Sequence, residues 1–237
     1  MDLTRFKALT FDVAGTLIDF ELGMIAYLGT LPGAASLDDD RILDVYRLHR
    51  GDHPAKWFPD DLVRVYSRIA SELGLPQTDA AAEGFRGSIR NWPAFPDTVE
   101  ALGRLGTRYK LVAMTNAQRW ALDHMERNLG HPFHDSLSVD EARCEKPDPV
   151  YFGFVRGRLS RDGILLEDIL HVAQSQYNDI GVAKRLGYAT CWIERRKGRK
   201  GSGGTLSADR TEPDLHFTTL KELADAVDAA NPALSHP

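Results

Sequence analysis

An α/β fold with a doubly wound parallel sheet is what this 237-residue chain predicts, on two patterns and one interruption. From Pro96 onward short aliphatic runs alternate with amphipathic stretches, the order that builds βαβ units with helices on both faces of a sheet. A run of the same kind, Phe6 to Phe11, opens the chain, yet helical spacing holds from Ile18 to Phe95 before the alternation resumes. The expected organisation is a Rossmann-like core over residues 1–17 and 96–237, with a helical cap over 18–95 inserted after the first strand.

The elements follow in order. Phe6 to Phe11 is a buried strand, and Gly15-Thr16 force a tight turn soon after it. In the insert, Leu22, Ile25 and Ala26 mark a helix ending near Pro32-Gly33, and Ile42, Val45 and Tyr46 mark a second. Leu62, Val65, Tyr66, Ile69 and Leu73 form one face of a third helix within Asp61–Leu75. Gly51-Asp52-His53-Pro54 and the pair Trp57-Phe58 interrupt the module, and Trp92 to Pro96 closes it. Helices over Asp97–Leu105, Gln118–Asn128, Val150–Leu159 and Ile180–Leu186 then alternate with strands at Lys110–Met114, Ser136–Val139, Ile169–Ala173 and Ala189–Ile193. A short strand at Leu215–Phe217 precedes a last helix that begins at the capping box Thr219/Glu222. The insert must then lie over the carboxyl ends of the strands, and Gly198 to Gly204, with its basic neighbours, reads as a solvated loop.

Bulk properties exclude several classes. A formal charge of −5 gives no electrostatic footprint for nucleic acid. Two cysteines, Cys144 and Cys191, make no disulfide framework and suit a reducing compartment. No run has the make-up of a signal peptide or of a membrane span, so a cytoplasmic protein without membrane partners is expected. The eight histidines show no metal-ligand spacing, and no cofactor or metal is expected.

The chemistry centres on Phe11-Asp12-Val13-Ala14-Gly15-Thr16-Leu17. It puts the Asp12 carboxylate at the end of a strand, where open α/β sheets hold their ligands. Three more segments end at the same edge: Thr115-Asn116 after Met114, Lys146-Pro147-Asp148-Pro149 before a helix, and Ser175-Gln176-Tyr177-Asn178-Asp179 after Ala173. An Asp, a Thr, a Lys and a second Asp in that order resemble the haloacid dehalogenase-like hydrolase superfamily over nearly the whole chain, the helical insert matching its small cap.

The resemblance implies roles. Asp12 is the nucleophile, Val13 and Ala14 flank the substrate, Thr16 fixes the turn, and Thr115 and Asn116 with backbone N–H groups hold the substrate's anionic group. Lys146 lies against the Asp12 carboxylate and keeps it ionised. The loop from Ser175 to Asp179 supports the site, with Tyr177 at the pocket and Asn178 and Asp179 positioning water. Two departures select a chemistry. Phosphatases of the superfamily carry a second aspartate where Ala14 stands and a magnesium-binding aspartate where Gln174 stands. Without either, a phosphate dianion would meet about 8 kcal/mol of repulsion from Asp12, and a monoanionic acid about half of that, at ~4 Å and a dielectric of ~20. A halide leaves without a proton, so no general acid is required.

The chain therefore resembles the 2-haloacid dehalogenase branch, acting on a small carboxylic acid, with Arg47 as the cap arginine for the substrate and Arg50 as second candidate. Trp57 and Phe58 wall the apolar pocket or pack in the cap. Asn91 to Leu102 and Asp168 to Arg196 resemble an azetidine-2-carboxylate hydrolase, the close alternative. A phosphonoacetaldehyde hydrolase using the cap lysine Lys56 as a Schiff base, a magnesium-dependent phosphatase and a non-enzymatic binding protein are the remaining readings. Relatives commonly dimerise, so a homodimer is an expectation of the resemblance.

Overall fold

The computed structural model describes residues 1–52 and 56–230. Strand β1 (Ala8–Phe11) is followed by four helices, α1 (Phe20–Leu28), α2 (Asp39–Arg50), α3 (Leu62–Leu73) and α4 (Asp79–Gly87). Then come α5 (Thr98–Gly106), β2 (Lys110–Met114), α6 (Arg119–Asn128), β3 (Asp135–Leu137), α7 (Val139–Ala142) and α8 (Pro149–Ser160). The chain finishes with β4 (Ile169–Ala173), α9 (Gly181–Arg185), β5 (Ala189–Ile193), β6 (Leu215–Phe217) and α10 (Leu220–Ala230). The sheet has the order β3-β2-β1-β4-β5-β6, with every pair parallel, so the predicted α/β architecture is observed.

Strand polarity of side chains sorts the two faces. Leu9, Phe11, Leu111, Ala113, Leu170 and Val172 join α5, α6 and α10 in one apolar core, which continues into the insert through Met24, Tyr46, Phe85 and Trp92. Ala8, Val112, Met114 and Ile169 pack on the other face against Tyr151, Phe152 and Val155 of α8. β1 lies in the middle of the sheet between β2 and β4, and the chain order reverses there, which opens a crevice at its carboxyl end.

Local chemistry sets the helix starts. The Asp19 side chain caps α1 by accepting from Leu22 N at 3.0 Å, and Asp38 caps α2 through Arg41 N at 3.1 Å. Thr78 caps α4, a helix of Ala and Gly that the apolar spacing does not reveal. Ser138 and Glu141 form a capping box on the short α7, also absent from the prediction. His53 and Pro54 of the predicted interruption lie outside the described residues.

The insert leaves and rejoins the core at one place. Asp19 N donates to the Pro93 carbonyl at 2.8 Å and Phe95 N to the Leu17 carbonyl at 3.0 Å, with Ile18 and Ala94 bridged antiparallel. The loop after β5 departs from expectation. Gly198 to Lys200 are exposed, but Gly203 and Gly204 are buried against the insert. Gly203 and Gly204 carbonyls accept from Arg47 and Arg50, Gly204 N donates to Glu21 at 2.8 Å, and Arg196 pairs with Glu21. A loop read as solvated is held down because the insert supplies a carboxylate and two guanidinium groups to its backbone.

Candidate active site

The ends of β1, β2 and β4 and the segment before α8 converge at Asp12. The turn after β1 places the Thr16 hydroxyl 2.7 Å from Asp12 Oδ2, and the same Oγ1 accepts the Gln174 N–H at 2.8 Å, tying the turn to the end of β4. Gly15 permits this turn with φ +101°. Lys146 Nζ reaches the other oxygen, Asp12 Oδ1, at 2.9 Å. Its remaining protons go to the Met114 carbonyl at 2.8 Å and to Asp179 Oδ1 at 2.6 Å, so all three ammonium donors are used. Asn116 positions the lysine by exchanging two hydrogen bonds of 2.7 Å with its backbone, side-chain Nδ2 to Lys146 O and Lys146 N to Oδ1.

These charges are out of water: Asp12 is 7% exposed, Lys146 2% and Asp179 0%. Burial pushes the Asp12 carboxyl above its ordinary range, and the Asp179 charge adds to that, against the pull of Lys146 and Thr16. Burial also opposes the Lys146 ammonium, but Asp12 and Asp179 outweigh it and hold the lysine charged. Asp179 is likewise penalised by burial, and Lys146 and His171 together hold it low.

Above Asp12 lies a cavity of about 280 Å³. Ala14, Thr115, Asn116, Lys146, Gln174, Ser175, Tyr177 and Asn178 line it from the strand ends. Phe20, Tyr46, Phe58, Leu62 and Val65 line it from the insert, with Leu206 and Thr205 from the docked loop. Ser175 Oγ accepts Asn178 N–H at 2.9 Å, and Tyr177, 44% exposed, stands at the mouth.

Several expected residues lie elsewhere. Arg47 does not line the cavity: its guanidinium is taken by Asp44 at 2.6 Å and by the Gly203 carbonyl. Arg50, one helical turn on, does line it, donating to Gly204 O at 2.8 Å and lying 5.3 Å over the Tyr46 ring. The Val13 side chain is fully buried in the core. Asp179 stands behind Lys146 and outside the lining, so it meets a substrate only through the lysine. Trp57 is also outside, under the Arg143 guanidinium at 5.1 Å, whereas Phe58 and Lys56 are lining residues.

Sequence reasoning missed Glu145, Asp61, Thr205 and Leu206. Asp61 is bound by Arg64 at 2.6 and 2.9 Å, while the Glu145 carboxylate, on the cavity wall, has no hydrogen-bond or ion-pair partner among the described residues. Burial pushes Glu145 up despite Arg50 nearby. The clue for Glu145 was its place next to Lys146; nothing local marked Thr205 and Leu206.

The donor set does not fit a magnesium ion. Position 174 offers a neutral amide whose Oε1 accepts from Thr205 at 3.3 Å, and the Lys146 ammonium stands between Asp12 and Asp179 where a cation would bridge them. Among the described residues no three His, Cys, Asp or Glu side chains come together as a metal site.

The chain and its fold are similar to those of known proteins. The family model of the haloacid dehalogenase-like hydrolases matches residues 6–187. Haloacetate dehalogenase H-2 of Moraxella sp. (strain B) is 25% identical over 200 residues, 81% of this chain and 88% of that protein. The (S)-2-haloacid dehalogenase of Pseudomonas putida is 23% identical over 209 residues, 83% and 88% of the two chains. The fold is that of L-2-haloacid dehalogenase from Xanthobacter autotrophicus, with a TM-score of 0.75 at 21% identity over 94% of this chain and 98% of that one. It is equally that of a HAD-hydrolase of Bacillus subtilis bound to magnesium, with a TM-score of 0.75 at 20% identity over 94% and 99%. Since the matched span takes in every strand whose end meets Asp12, the chain belongs to the haloacid dehalogenase-like hydrolases.

Proposed function

We propose that the protein is a 2-haloacid dehalogenase in which Asp12 displaces halide from C2 of a small carboxylic acid. One observation carries this reading: a carboxylate at a strand end, gripped on both oxygens by Thr16 and Lys146, facing a cavity whose opposite side is walled by Phe20, Tyr46, Phe58, Leu62 and Val65. Lys146 and Thr16 leave the carboxylate one free direction, into the cavity, which favours in-line attack on carbon. An Asp12 oxygen forms the C–O bond as the C–halide bond breaks, inverting C2 and giving an aspartyl ester and halide. Water entering beside Ser175 and Asn178 then attacks Cγ of the ester. A 2-hydroxy acid and a proton leave, and the Asp12 carboxylate returns. Arg50 is the cation for the substrate's carboxylate or the departing halide, and Thr115 and Asn116 supply polar contacts on the other side.

Residues 18–95 act as the cap in this reading, shaping the acid's apolar end with Phe20, Tyr46, Phe58, Leu62 and Val65. Charge supports a monoanionic acid over a phosphate ester. At ~4 Å and a dielectric of ~20 a single negative charge costs about 4 kcal/mol against Asp12, which Lys146 offsets, and a dianion twice that. The second reading, azetidine-2-carboxylate hydrolysis, is favoured by Glu145, whose carboxylate on the cavity wall has no hydrogen-bond or ion-pair partner among the described residues and suits a substrate ammonium group.

Proton release from L-2-chloropropionate in EDTA, wild type against Asp12→Ala, tests the proposal. Release that requires Asp12 and persists in EDTA is expected. No release by wild type, with ring opening of azetidine-2-carboxylate or magnesium-dependent hydrolysis of a phosphate ester instead, would overturn it.

A further inference from the structure

The two central strands carry a polar pair that packing does not require. Thr10 of β1 and His171 of β4 face each other in register, and both are fully buried. Their neighbours on the two strands, Ala8, Leu9, Phe11, Ile169, Leu170, Val172 and Ala173, are apolar. A buried imidazole and hydroxyl are costly unless every polar atom is bonded, and an aliphatic pair would fill the space without that cost. Here both ring nitrogens are used: Nδ1 lies 3.0 Å from Thr10 Oγ1 and Nε2 lies 3.2 Å from Asp179 Oδ1.

A carboxylate only accepts, so the Nε2 atom carries the proton, and in the neutral ring Nδ1 accepts the Thr10 hydroxyl. Phe152 meets the ring edge-on with centroids 5.5 Å apart and Tyr188 at 6.5 Å, which fixes its plane. The titratable groups around the imidazole are thus Asp179 from the turn before α9, Lys146 behind Asp179, and the Tyr188 phenol, which donates away to Phe152 O. On the far side Thr190 of β5, in register with His171, is bonded to Asp214.

Asp179 Oδ1 therefore takes two donors, Lys146 Nζ and His171 Nε2, while Oδ2 is buried with no partner among the described residues. The imidazole and the ammonium between them decide how the Asp179 carboxylate is turned and how much of its charge reaches Asp12. We propose that His171, outside the cavity and touching no substrate, is a positioning residue whose N–H holds Asp179 against Lys146 and so keeps Lys146 on Asp12. Asp179 without that N–H draws the ammonium toward itself and repels Asp12 with its full charge.

The test is a pH titration by NMR of full-length protein labelled at aspartate Cγ, with the Asp12 resonance assigned by Asp12→Asn. In His171→Leu the Asp12 midpoint rises by about one pH unit, the scale set by loss of a hydrogen bond to a nearby buried charge. In His171→Gln, whose amide can still donate to Asp179, it stays close to wild type. Thr10→Val, which leaves Nδ1 without its donor and so loosens the seating of the Nε2 proton on Asp179, serves if the leucine variant does not fold, and shifts the midpoint the same way.

Midpoints unchanged in both the leucine and valine variants, with only thermal stability reduced, would make His171 a packing residue and overturn the proposal. The proposal uses the dehalogenase reading only for its second readout, an acid limb of the kcat–pH profile on 2-chloropropionate that moves up by about one pH unit with KM unchanged. Absence of turnover in wild type would refute that reading and leave the midpoint shift to decide the role of His171.

Discussion

Replacing Lys146 by methionine keeps the bulk of the stem and removes the one cation between Asp12 and Asp179. At 2.9 and 2.6 Å and an effective dielectric of about 20, each attraction is about 6 kcal/mol, before the several kcal/mol needed to desolvate the ammonium. Losing one partner of such a buried cluster leaves a net cost of about 3–5 kcal/mol. The protein avoids it by binding a proton. Asp12, already raised by burial, takes that proton and ceases to be a nucleophile. Lys146→Met should therefore lower kcat/KM for 2-chloropropionate about a thousandfold at pH 7, taking 1.36 kcal/mol per tenfold, while the fold survives. Lys146→Arg should not restore activity, because a planar guanidinium cannot point donors at Met114 O, Asp12 and Asp179 as the tetrahedral ammonium does. Chloride release and the mass of the trapped aspartyl ester are the assays. Activity within tenfold of wild type for the methionine variant would refute the reasoning.

Two further predictions concern the frame around the site. Gly203→Ala would put a Cβ 2.1 Å from Glu21 Oε1 and 2.4 Å from Arg196 Nη1, at a backbone φ of +55°, so the buried Glu21–Arg196 pair must move. We expect about 2 kcal/mol of lost stability in urea and a several-fold rise in KM as Thr205 and Leu206 leave the cavity wall; an unchanged KM would show that the loop does not shape the pocket. Glu141, although partly buried, is held down to about 2 by Arg119 and the Ser138 hydroxyl and N–H. Its carboxylate therefore stabilises the fold above pH 4.5, and that contribution fades as pH falls toward 2. Glu141→Gln should cost about 1 kcal/mol at pH 7 and less at pH 3, measured by urea unfolding, and an equal deficit at both pH values would contradict the assignment.

Much of the site was legible because its chemistry is local. Asp12, Thr115 and Ser175 each follow an aliphatic strand run, and Lys146 precedes the Pro149 start of α8, so strand ends and helix starts announce them. Other parts depend on distant partners. Arg47 and Arg50 are one helical turn apart, and only the docking of the loop decides which guanidinium reaches the cavity. That docking needs Glu21 to meet Gly204 from far along the chain, and nothing in a glycine-rich basic stretch signals it. Nothing in its strand run sets His171 apart, because its partners are Thr10 across the sheet and Asp179 beyond the next turn.

The paired departure and return of the insert has a further consequence. Asp19 to Pro93 and Leu17 to Phe95 form a suture, so the sheet meets the whole helical module as though it were one short hairpin. Closing so long an excursion at a short stem separates two kinds of inheritance. Asp12, Lys146, Ser175 and Asn178 stand on core segments that never cross the suture, while Phe20, Tyr46, Arg50 and Leu62 travel with the module. Exchanging everything between the stitches for another helical module would alter one side of the cavity wall while leaving the grip of Lys146 on Asp12 in place, making this junction the natural seam for chimeras.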